Sequence, residues 1–394
     1  MSGEATNVAV VGGGAVGVTA AHDLAREGVD VTLYERDEVA GGASGRAAGV
    51  LYDAYGDRRD ADVGRRALER FREISGEGGF EFTPCPYVWV AREGDDKRAA
   101  AIREQVPRMA GHGVDAELVD RDGLGERFPA LRTDDVAVAG VAAGAGHADP
   151  GSYVRAMAER ARAAGVDVRT GVLARVRTGP PMVIATSAHA FENNQPRDEG
   201  AAGDGGSSVT EYDAVLVAAG AHTAEVLADA GHEVPLKPYR VQALTGGPAY
   251  DGPMCYDATG GFYLRPHPAG VLAGDGTEPV EVDPDDWDRQ GDGWFVREVS
   301  DAVAHRTGVE VDVDRAWAGL CVATPDRDPL LGELADGLYV ASGWQGQGFM
   351  RSPALGEAIA EEMLGGDGIK GFDPTRFDGD EEFDIVEGMA IEER

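Results

Sequence analysis

The residues with the clearest chemical use lie near the start of the chain, where positions 12–17 read GGGAVG, a G-x-G-x-x-G pattern. The apolar run from Val8 to Val11 predicts a buried strand before the pattern, and apolar residues at helical spacing from Ala15 to Glu27 predict a helix after it. The three glycines permit a tight turn, close approach of a pyrophosphate to the backbone, and close packing of helix on strand. The N-terminus of that helix suits the negative charge of a pyrophosphate.

A carboxylate completes this pattern at the expected distance. Glu35 ends a second predicted strand, Val29 to Tyr34, and follows the third glycine of the pattern by about twenty residues. Its side chain can accept hydrogen bonds from ribose hydroxyls and would repel a 2′-phosphate, which disfavours NADP. The strand, helix and strand therefore predict a dinucleotide-binding βαβ unit, and the pattern alone does not separate NAD from FAD.

Two further small-residue loops could run against a flat ring system. GGASGRAAG occupies Gly41 to Gly49, directly after the second strand, and GWQGQG occupies Gly343 to Gly348. For the second loop we predict a helix that begins after Ser352, with Ser352 as its N-cap and Pro353 in the first helical position. The positive end of that helix would stabilise the anionic, reduced form of a bound flavin.

The loops belong to a longer resemblance. In the order of the chain, the segments at 147–166 (HADPGSYVRAMAERARAAGV), 212–223 (YDAVLVAAGAHT), 319–332 (GLCVATPDRDPLLG) and 337–364 (GLYVASGWQGQGFMRSPALGEAIAEEML) resemble FAD-dependent amine oxidoreductases of the D-amino-acid oxidase superfamily. The glycine oxidase, sarcosine oxidase β-subunit and D-amino-acid dehydrogenase branches are the most similar. The resemblance implies that the dinucleotide is FAD. The residues predicted to bind it are Gly12, Gly14, Ala15, Val16, Gly17, Glu35, Arg36, Ala43, Ser44, Gly45, Arg46, Ala48, Gly49, Ala219, Gly220, Cys321, Gly343, Gln345, Gly346, Gln347, Gly348, Phe349 and Met350.

The fold class expected is α/β. We predict a Rossmann-like FAD-binding domain of the glutathione-reductase type on a parallel sheet, and an α+β substrate-binding domain on a mostly antiparallel sheet. The FAD-binding domain is expected to be discontinuous, comprising residues 1–56, 147–235 and 315–394. Residues 57–146 and 236–314 are expected to form the substrate-binding domain.

Substrate chemistry is expected from the second domain. Tyr263 and Arg265 alternate in GGFYLRPH, so that they face the same side of one predicted strand. A phenol beside a guanidinium could hold a carboxylate, with the guanidinium providing a two-pronged contact. Arg240 and Arg46 are further candidate anchors. The alternative is that these side chains lie on a solvated sheet face.

Three departures from the family pattern bear on the chemistry. Glycine-oxidase-like members carry a carboxylate-binding arginine where this chain has Cys321, whereas monomeric sarcosine oxidase has there a cysteine linked to its flavin. The resemblance therefore leaves two alternatives for Cys321, a thioether to FAD or an inert buried thiol. An apolar residue near Leu272 replaces the lysine that activates oxygen, which slightly favours a dehydrogenase over an oxidase. The family's Gly-His-Gly reads Gly-Gln-Gly at 346–348.

The function expected is oxidation of the C–N bond of an amino acid or an N-substituted glycine. A hydride would pass from the substrate α-carbon to flavin N5, and the resulting imine would hydrolyse to an oxo-acid. Two alternatives stay open: oxidation of a 2-hydroxy acid, and an electron-passing FAD subunit of a hetero-oligomeric dehydrogenase. The electron acceptor is undetermined, and either a homo- or a hetero-oligomer is compatible with the sequence.

The composition excludes other classes of function. The 394 residues include 70 acidic and 36 basic ones, a formal net charge of −34, which argues against binding to nucleic acids or to anionic membranes. Such self-repulsion is tolerable where salt screens it, so we expect an enzyme of a salt-loaded cytoplasm. The sequence shows neither an apolar run long enough to insert in a membrane nor a signal peptide, and we expect no metal site because no ligand spacing is recognisable.

Overall fold

A computed structural model describes residues 6–188 and 207–386, and all structural statements below concern these residues. The first ten strands are β1 (Asn7–Val11), β2 (Asp30–Tyr34), β3 (Val50–Leu51), β4 (Thr83–Pro84), β5 (Tyr87–Arg92), β6 (Ala116–Val119), β7 (Val136–Ala142), β8 (Gly146–His147), β9 (Asp167–Arg169) and β10 (Val172–Arg177). The next ten are β11 (Met182–Ser187), β12 (Ser208–Glu211), β13 (Ala214–Val217), β14 (Lys237–Gly246), β15 (Met254–Asp257), β16 (Phe262–His267), β17 (Gly270–Glu281), β18 (Val313–Ala323), β19 (Leu330–Ala335) and β20 (Leu338–Ser342).

Helices connect and cover these strands. They are α1 (Ala15–Arg26), α2 (Arg58–Ile74), α3 (Asp96–Gly111), α4 (Arg121–Arg127), α5 (Pro150–Ala163), α6 (Thr223–Asp229), α7 (Gly293–Thr307) and α8 (Gly348–Met363). Short 3-10 turns occur at Ala43–Arg46, Gly220–His222 and Pro374–Arg376. In the described part of the chain, no helix is both long and apolar enough to cross a membrane.

The chain folds into two compact units. Within the described residues, the first unit comprises 6–45, 151–238 and 321–386, and the second comprises 46–150 and 239–320. These bounds lie within six residues of the predicted ones except at the first junction, which was expected at residue 56. Residues 46–56 join the second unit because Val50 and Leu51 pair with His147 and Gly146 there.

The first unit is built on a six-stranded sheet with the order β19-β20-β13-β1-β2-β9. All pairs are parallel except β19 with β20. The strands β1 and β13 are almost entirely apolar and buried, as expected for strands covered on both faces. The sequential strands β1 and β2 lie side by side, while β13 joins the other side of β1, so that the strand order reverses at β1. A crevice at such a reversal is where ligands bind in open α/β sheets.

The last helix of the first unit differs from its prediction. We predicted a start after Ser352, but α8 begins five residues earlier at Gly348, with Gln347 as an N-cap that makes no side-chain cap bond. Pro353 therefore lies inside the helix, where it removes the N–H that would bond to the carbonyl of Phe349. The buried Ser352 hydroxyl donates to that same carbonyl over 2.8 Å. Ser352 thus compensates for Pro353 rather than capping the helix.

Replacing Ser352 with alanine should therefore lower the free energy of unfolding by about 1–2 kcal/mol, because a buried carbonyl loses its donor. In a Pro353→Ala background the same change should be less harmful, since residue 353 regains an N–H that can reach Phe349. Denaturant unfolding of the two single variants and the double variant measures this difference. An equal loss in both backgrounds would contradict the compensation.

The second unit is built on an eight-stranded sheet with the order β18-β14-β17-β16-β15-β5-β7-β6. Its characterised pairs are antiparallel except β15 with β5. One face packs against α4 and α7 in a core that includes Val88, Leu264 and Phe295. The strand register places Tyr263, Tyr256 and Trp89 side by side on the opposite face. This opposite face also carries Arg265, two residues along β16 from Tyr263.

A buried network of charges attaches α7 to the sheet. Arg306 and Asp257 are both fully buried, and a guanidinium nitrogen of Arg306 lies 2.7 Å from the Asp257 carboxylate. Arg92 contacts the same carboxylate at 2.8 Å, and Asp135 contacts Arg306 at 2.9 Å. The guanidinium of Arg306 is therefore paired with the buried carboxylate of Asp257 and with that of Asp135, which is 25% exposed.

Candidate functional site

Different structural features explain why positions 12, 14 and 17 of the loop are glycine. Gly12 has a φ of +118°, and a Cβ there would lie 2.3 Å from the carbonyl oxygen of Ala218. A Cβ at Gly17 would lie 2.1 Å from the carbonyl oxygen of Gly12. These two positions are glycine because the chain's own backbone comes too close for a side chain.

The packing of the protein does not require a glycine at position 14. Its φ is −77°, which any residue can adopt, and a Cβ there would meet only the Ser44 hydroxyl, at 3.2 Å. The position opens on the N-terminus of α1, where Ala15 and Val16 begin the first turn. A missing side chain beside helix N–H groups is what close approach of a pyrophosphate needs. The loop therefore fits the diphosphate of a dinucleotide.

Glu35 lies against the same loop. Its carboxylate accepts hydrogen bonds from the N–H groups of Gly13, at 2.6 Å, and of Asp37, at 2.9 Å. The neighbouring Arg36 lies 3.1 Å from a ring nitrogen of His222. The parallel strands β1 and β2 end at the same edge of the sheet, which brings the glycine loop and this carboxylate together as the sequence predicted.

The turn at Ala43–Arg46 lies against the N-terminus of α1. The Ser44 hydroxyl accepts a hydrogen bond from the backbone N–H of Ala15 over 3.0 Å and so serves the helix as a cap from outside. A Cβ at Gly45 would lie 2.1 Å from the carbonyl oxygen of Ala40, so this glycine is needed for the turn itself. Local sequence patterns did not predict the contact between Ser44 and Ala15, because it joins two separate segments.

The loop from Gly343 to Gly348 approaches the C-terminal end of β18. Gln345 has a left-handed φ of +49° and is 1% exposed; its N–H donates to the carbonyl of Val322 over 3.0 Å. Its side chain accepts from the N–H of Thr324 and donates to the carbonyl of Val386. The predicted cofactor residue Gln345 thus uses both its side chain and its backbone N–H to hold the loop.

Other predicted cofactor residues lie near this loop and its sheet edge. Phe349 is buried in the first turn of α8 and packs edge-on against Tyr153, with ring centroids 5.8 Å apart. Met350 is also buried. Cys321 is half-buried on β18, next to the residue that receives the Gln345 bond. The remaining predicted residues of these segments are Ala219 and Gly220 after β13, and Gly346, Gln347 and Gly348 before and at the start of α8.

The thioether between Cys321 and FAD stays a prediction. Acid precipitation of the purified holoenzyme decides it, because a tethered flavin stays with the precipitate and a free one remains in the supernatant.

The second unit carries a buried cation on its open sheet face. Arg265 is 4% exposed and forms no ion pair with any carboxylate of the described residues. It donates to the carbonyl oxygens of Ala48, at 2.5 Å, and Pro266, at 2.8 Å. Burial lowers the pKa of Arg265 to about 10, so that it stays charged at neutral pH. A buried charge without a counter-ion is costly, and an external anion would supply that counter-ion.

The surroundings of Arg265 combine aromatic, apolar and titratable groups. Tyr263 packs against a small apolar cluster of Ala243, Leu272 and Trp317, and Leu272 lies directly across from Arg265 in the strand register. Burial, together with the charge of Arg265, lowers the pKa of His147 to about 4. His147 was missed by sequence analysis because its strand, β8, has only two residues and its proximity to Arg265 depends on the tertiary fold.

His147 should make the stability of the protein depend on pH. Its pKa in the fold is below that of an unfolded histidine, so the unfolded state binds more protons between about pH 6.5 and 4, and stability falls as the pH falls through this range. With allowance for its partial exposure, the loss should be about 1 kcal/mol. A His147→Gln variant should lose that part of the pH dependence in thermal unfolding. His232→Gln in the first unit is the control, and identical curves for wild type and His147→Gln would refute the assignment.

Arg240, in contrast, is held entirely by the protein. We predicted it as a carboxylate anchor, but its side chain is 6% exposed and contacts the carboxylates of Glu278 and Asp292, the latter at 2.6 Å. It also donates to the carbonyls of Asp288 and Gln290. Each of its three nitrogens has an acceptor within the second unit, so Arg240 stabilises the fold instead of offering a site for a ligand.

Three predicted cofactor residues belong to the second unit. Arg46 lies over β18, where Trp317 donates to its carbonyl over 2.9 Å. The carbonyl of Ala48 receives the Arg265 bond. A Cβ at Gly49, which has a φ of +71°, would lie 2.0 Å from the carbonyl oxygen of Ala148. The backbone of the second unit therefore already explains why position 49 is glycine.

Comparison with known proteins identifies the class. The profile of the family described as FAD dependent oxidoreductase, or DAO, matches residues 7–362. This chain therefore belongs to the DAO family of FAD-dependent oxidoreductases, as the sequence resemblance predicted. FAD as the cofactor, an enzymatic function and the mixed α/β fold with a parallel and a mostly antiparallel sheet are confirmed.

Individual relatives are similar over nearly the whole chain. The 4-methylaminobutanoate oxidase (formaldehyde-forming) of Paenarthrobacter nicotinovorans is 27% identical over 94% of this chain, which spans only 44% of that protein. A glycine oxidase of Bacillus licheniformis is 25% identical, with 90% of this chain and 92% of the relative covered. The crystal structure of L-proline dehydrogenase from P. horikoshii is 26% identical and superposes with a TM-score of 0.81 over 95% of this chain and 98% of that one.

Proposed function

We propose that this enzyme oxidises the C–N bond of an amino acid or an N-substituted glycine to an imine, which water converts to an oxo-acid. The observation that carries the proposal is the buried Arg265 guanidinium, which has no ion-pair partner among the described residues and lies beside the half-buried Tyr263 on the open face of the second unit's sheet. A guanidinium fork matches the geometry of a carboxylate, which every amino acid carries. The three relatives named above act, by their names, on amines or amino acids, which is consistent with this choice.

The residues of the chain would have separate tasks in this reaction. Arg265 would hold the substrate carboxylate, and the apolar side chains of Ala243, Leu272 and Trp317 would keep water from the reacting carbon. His147, neutral at physiological pH, would add no second charge beside Arg265. FAD, when bound by the glycine loop and Glu35 of the first unit, supplies the acceptor for the hydride. The substrate nitrogen provides the electron pair of the new C=N bond, so that no protein base is required.

We propose that the enzyme is a dehydrogenase rather than an oxidase. Leu272, buried and across from Arg265, stands where the family resemblance would place an oxygen-activating lysine, and the sequence has no lysine from 238 to 369. The charge of Arg265, directly across from Leu272, would be neutralised by the substrate carboxylate, so a reactive oxygen anion would lack the stabilisation that a lysine gives. The re-oxidation of the reduced enzyme should therefore be faster with an artificial electron acceptor than with oxygen.

Anaerobic reduction of the holoenzyme in high salt tests the function. The visible absorbance of the flavin is recorded after addition of D-, L- and N-methyl amino acids and of the matching 2-hydroxy acids. Bleaching by an amino acid supports the proposal. Bleaching by hydroxy acids alone would assign C–O oxidation instead, and no bleaching by any of them would favour an electron-passing subunit.

A further inference from the structure

The side chain of Tyr263 lies across the neighbouring strand β17 instead of standing away from the sheet. In the strand register its partner on β17 is Gly274, and the partner of Gly274 on β14 is Ala243. A Cβ at Gly274 would lie 2.2 Å from the Tyr263 hydroxyl oxygen and 2.5 Å from the ring carbon that carries it. Side chains of strands ordinarily stand roughly perpendicular to the sheet. The end of the Tyr263 ring therefore occupies the place that any side chain at position 274 would need.

The backbone of β17 changes direction directly after Gly274. The pairing of β17 with β14 shifts its register from Asp275 onward, and Asp275 and Gly276 have φ values of +142° and +65°. Gly276 faces the other side of the sheet, where a Cβ would lie 2.5 Å from the ring of Phe295. Gly274 itself has a negative φ, so the irregularity does not require a glycine there. The absence of a side chain at position 274 is explained by the Tyr263 ring alone.

The ring of Tyr263 adds to the apolar surface beside Arg265. The two residues are separated by one position on β16, so their side chains start about 7 Å apart on the same face. The ring packs against Ala243, Leu272 and Trp317 and remains half-buried, so part of it is accessible. A ring that stood upright at position 263 would instead rise beside Arg265 and fill the space above this apolar surface.

We propose that Gly274 determines the size of the substrate as a positioning residue that acts through Tyr263. It leaves room for the ring against the sheet and so keeps the surface beside Arg265 open to amino acids with a bulky apolar group on the α-carbon or the nitrogen. A methyl group at position 274 is fixed to the strand, whereas the Tyr263 side chain can rotate, so the ring would be the part that moves. This inference rests on the proposed function for the amine chemistry, but not for the binding of a carboxylate.

Binding of two carboxylates that lack an amine tests Gly274 independently of catalysis. Isothermal titration calorimetry of the holoenzyme in about 1 M KCl compares acetate with cyclohexanecarboxylate. The Kd for cyclohexanecarboxylate divided by that for acetate should rise about tenfold in Gly274→Ala, because the displaced ring obstructs only the larger ligand. In a Tyr263→Leu background no ring is displaced, so the same change should leave the ratio constant. A constant ratio in Gly274→Ala alone, an equal rise in both backgrounds, or a wild type that binds neither carboxylate would overturn the proposal.

Gly140→Ala is the matched control for Gly274→Ala. Gly140 lies on β7 of the same sheet, three strand positions from β16, and a Cβ there would lie 2.7 Å from Val106 and 3.0 Å from Trp89. This variant should be destabilised by a similar clash but keep the wild-type Kd ratio, and a tenfold rise in it would refute the role of Tyr263.

A second variant covers the case in which Gly274→Ala does not fold. Tyr263→Phe removes the hydroxyl, which is the atom closest to the added methyl group, and keeps the ring. Gly274→Ala in this background should still raise the Kd ratio relative to Tyr263→Phe alone, and a constant ratio would overturn the proposal. If no amino acid reduces the flavin, the proposed function fails, while the two Kd values still judge Gly274.

Discussion

Gly14→Ala should weaken FAD binding about a hundredfold while the apoprotein keeps its fold. The added methyl group would meet only the Ser44 hydroxyl within the protein, at 3.2 Å, and the backbone conformation at Gly14 is an ordinary one. It would, however, occupy the space through which a pyrophosphate reaches the N–H groups at the start of α1. Charge-assisted hydrogen bonds to these groups would then lengthen or break.

The matched control for Gly14→Ala is Gly12→Ala in the same loop. At Gly12 a methyl group would lie 2.3 Å from the Ala218 carbonyl oxygen, in a backbone conformation that alanine adopts poorly. This control should destabilise the apoprotein by about 3 kcal/mol or more, whereas Gly14→Ala should cost less than about 1 kcal/mol. Denaturant unfolding of the apoproteins and titration with FAD separate the two effects. Equal FAD affinity in Gly14→Ala and wild type would contradict the pyrophosphate assignment.

Arg265→Met should lower kcat/KM for the amino acid substrate about a thousandfold. The substrate carboxylate would enter a site whose cation is gone, and truncation of one partner in a buried, hydrogen-bonded charge pair is among the largest single-residue losses. Arg265→Lys keeps the charge but lacks the planar fork, so we expect an intermediate loss. The decrease should be seen in the concentration dependence of flavin reduction under anaerobic conditions, with FAD content unchanged.

Arg240→Met provides the comparison for Arg265→Met. Both arginines lie buried in the second unit, but the carboxylates of Glu278 and Asp292 already neutralise Arg240. Its removal leaves those charges uncompensated, so the free energy of unfolding should fall by about 3 kcal/mol with little change in KM for the folded enzyme. If Arg240→Met raised KM as strongly as Arg265→Met, the distinction between the two would be wrong.

Arg240 and Arg265 show which part of the candidate site cannot be predicted from the sequence. Arg240 and Arg265 both lie on strands of one unit, and their immediate neighbours in the sequence do not distinguish a substrate anchor from a structural ion pair. What distinguishes them is Asp292, which reaches Arg240 from the start of α7, about fifty residues away in the chain. The glycine loop and Glu35 were predictable because their geometry depends on a short βαβ segment, with strands and helix encoded by local periodicity.

The local sequence pattern also gave one wrong prediction, the start of α8. A serine followed by a proline is the usual signature of a helix start, and this pattern predicts Ser352 as an N-cap. The helix begins earlier because its first turns pack in the core, with Phe349 and Met350 buried, and the Ser352 hydroxyl makes the internal proline tolerable. Burial of an apolar segment outweighed the local signal.

The buried pair of Arg306 and Asp257 has a consequence for behaviour in salt. Surface pairs such as Arg108 with Glu104 are open to dissolved ions, which compete with the partner and weaken the attraction. No ion can approach Arg306 or Asp257, because neither has any accessible surface. Concentrated electrolyte thus relieves the mutual repulsion of the acidic exterior, while the direct pair of Arg306 and Asp257 between α7 and its sheet is not weakened. Dissolved salt therefore changes the interactions between surface charges of the second unit but not the interaction between its two fully buried charges.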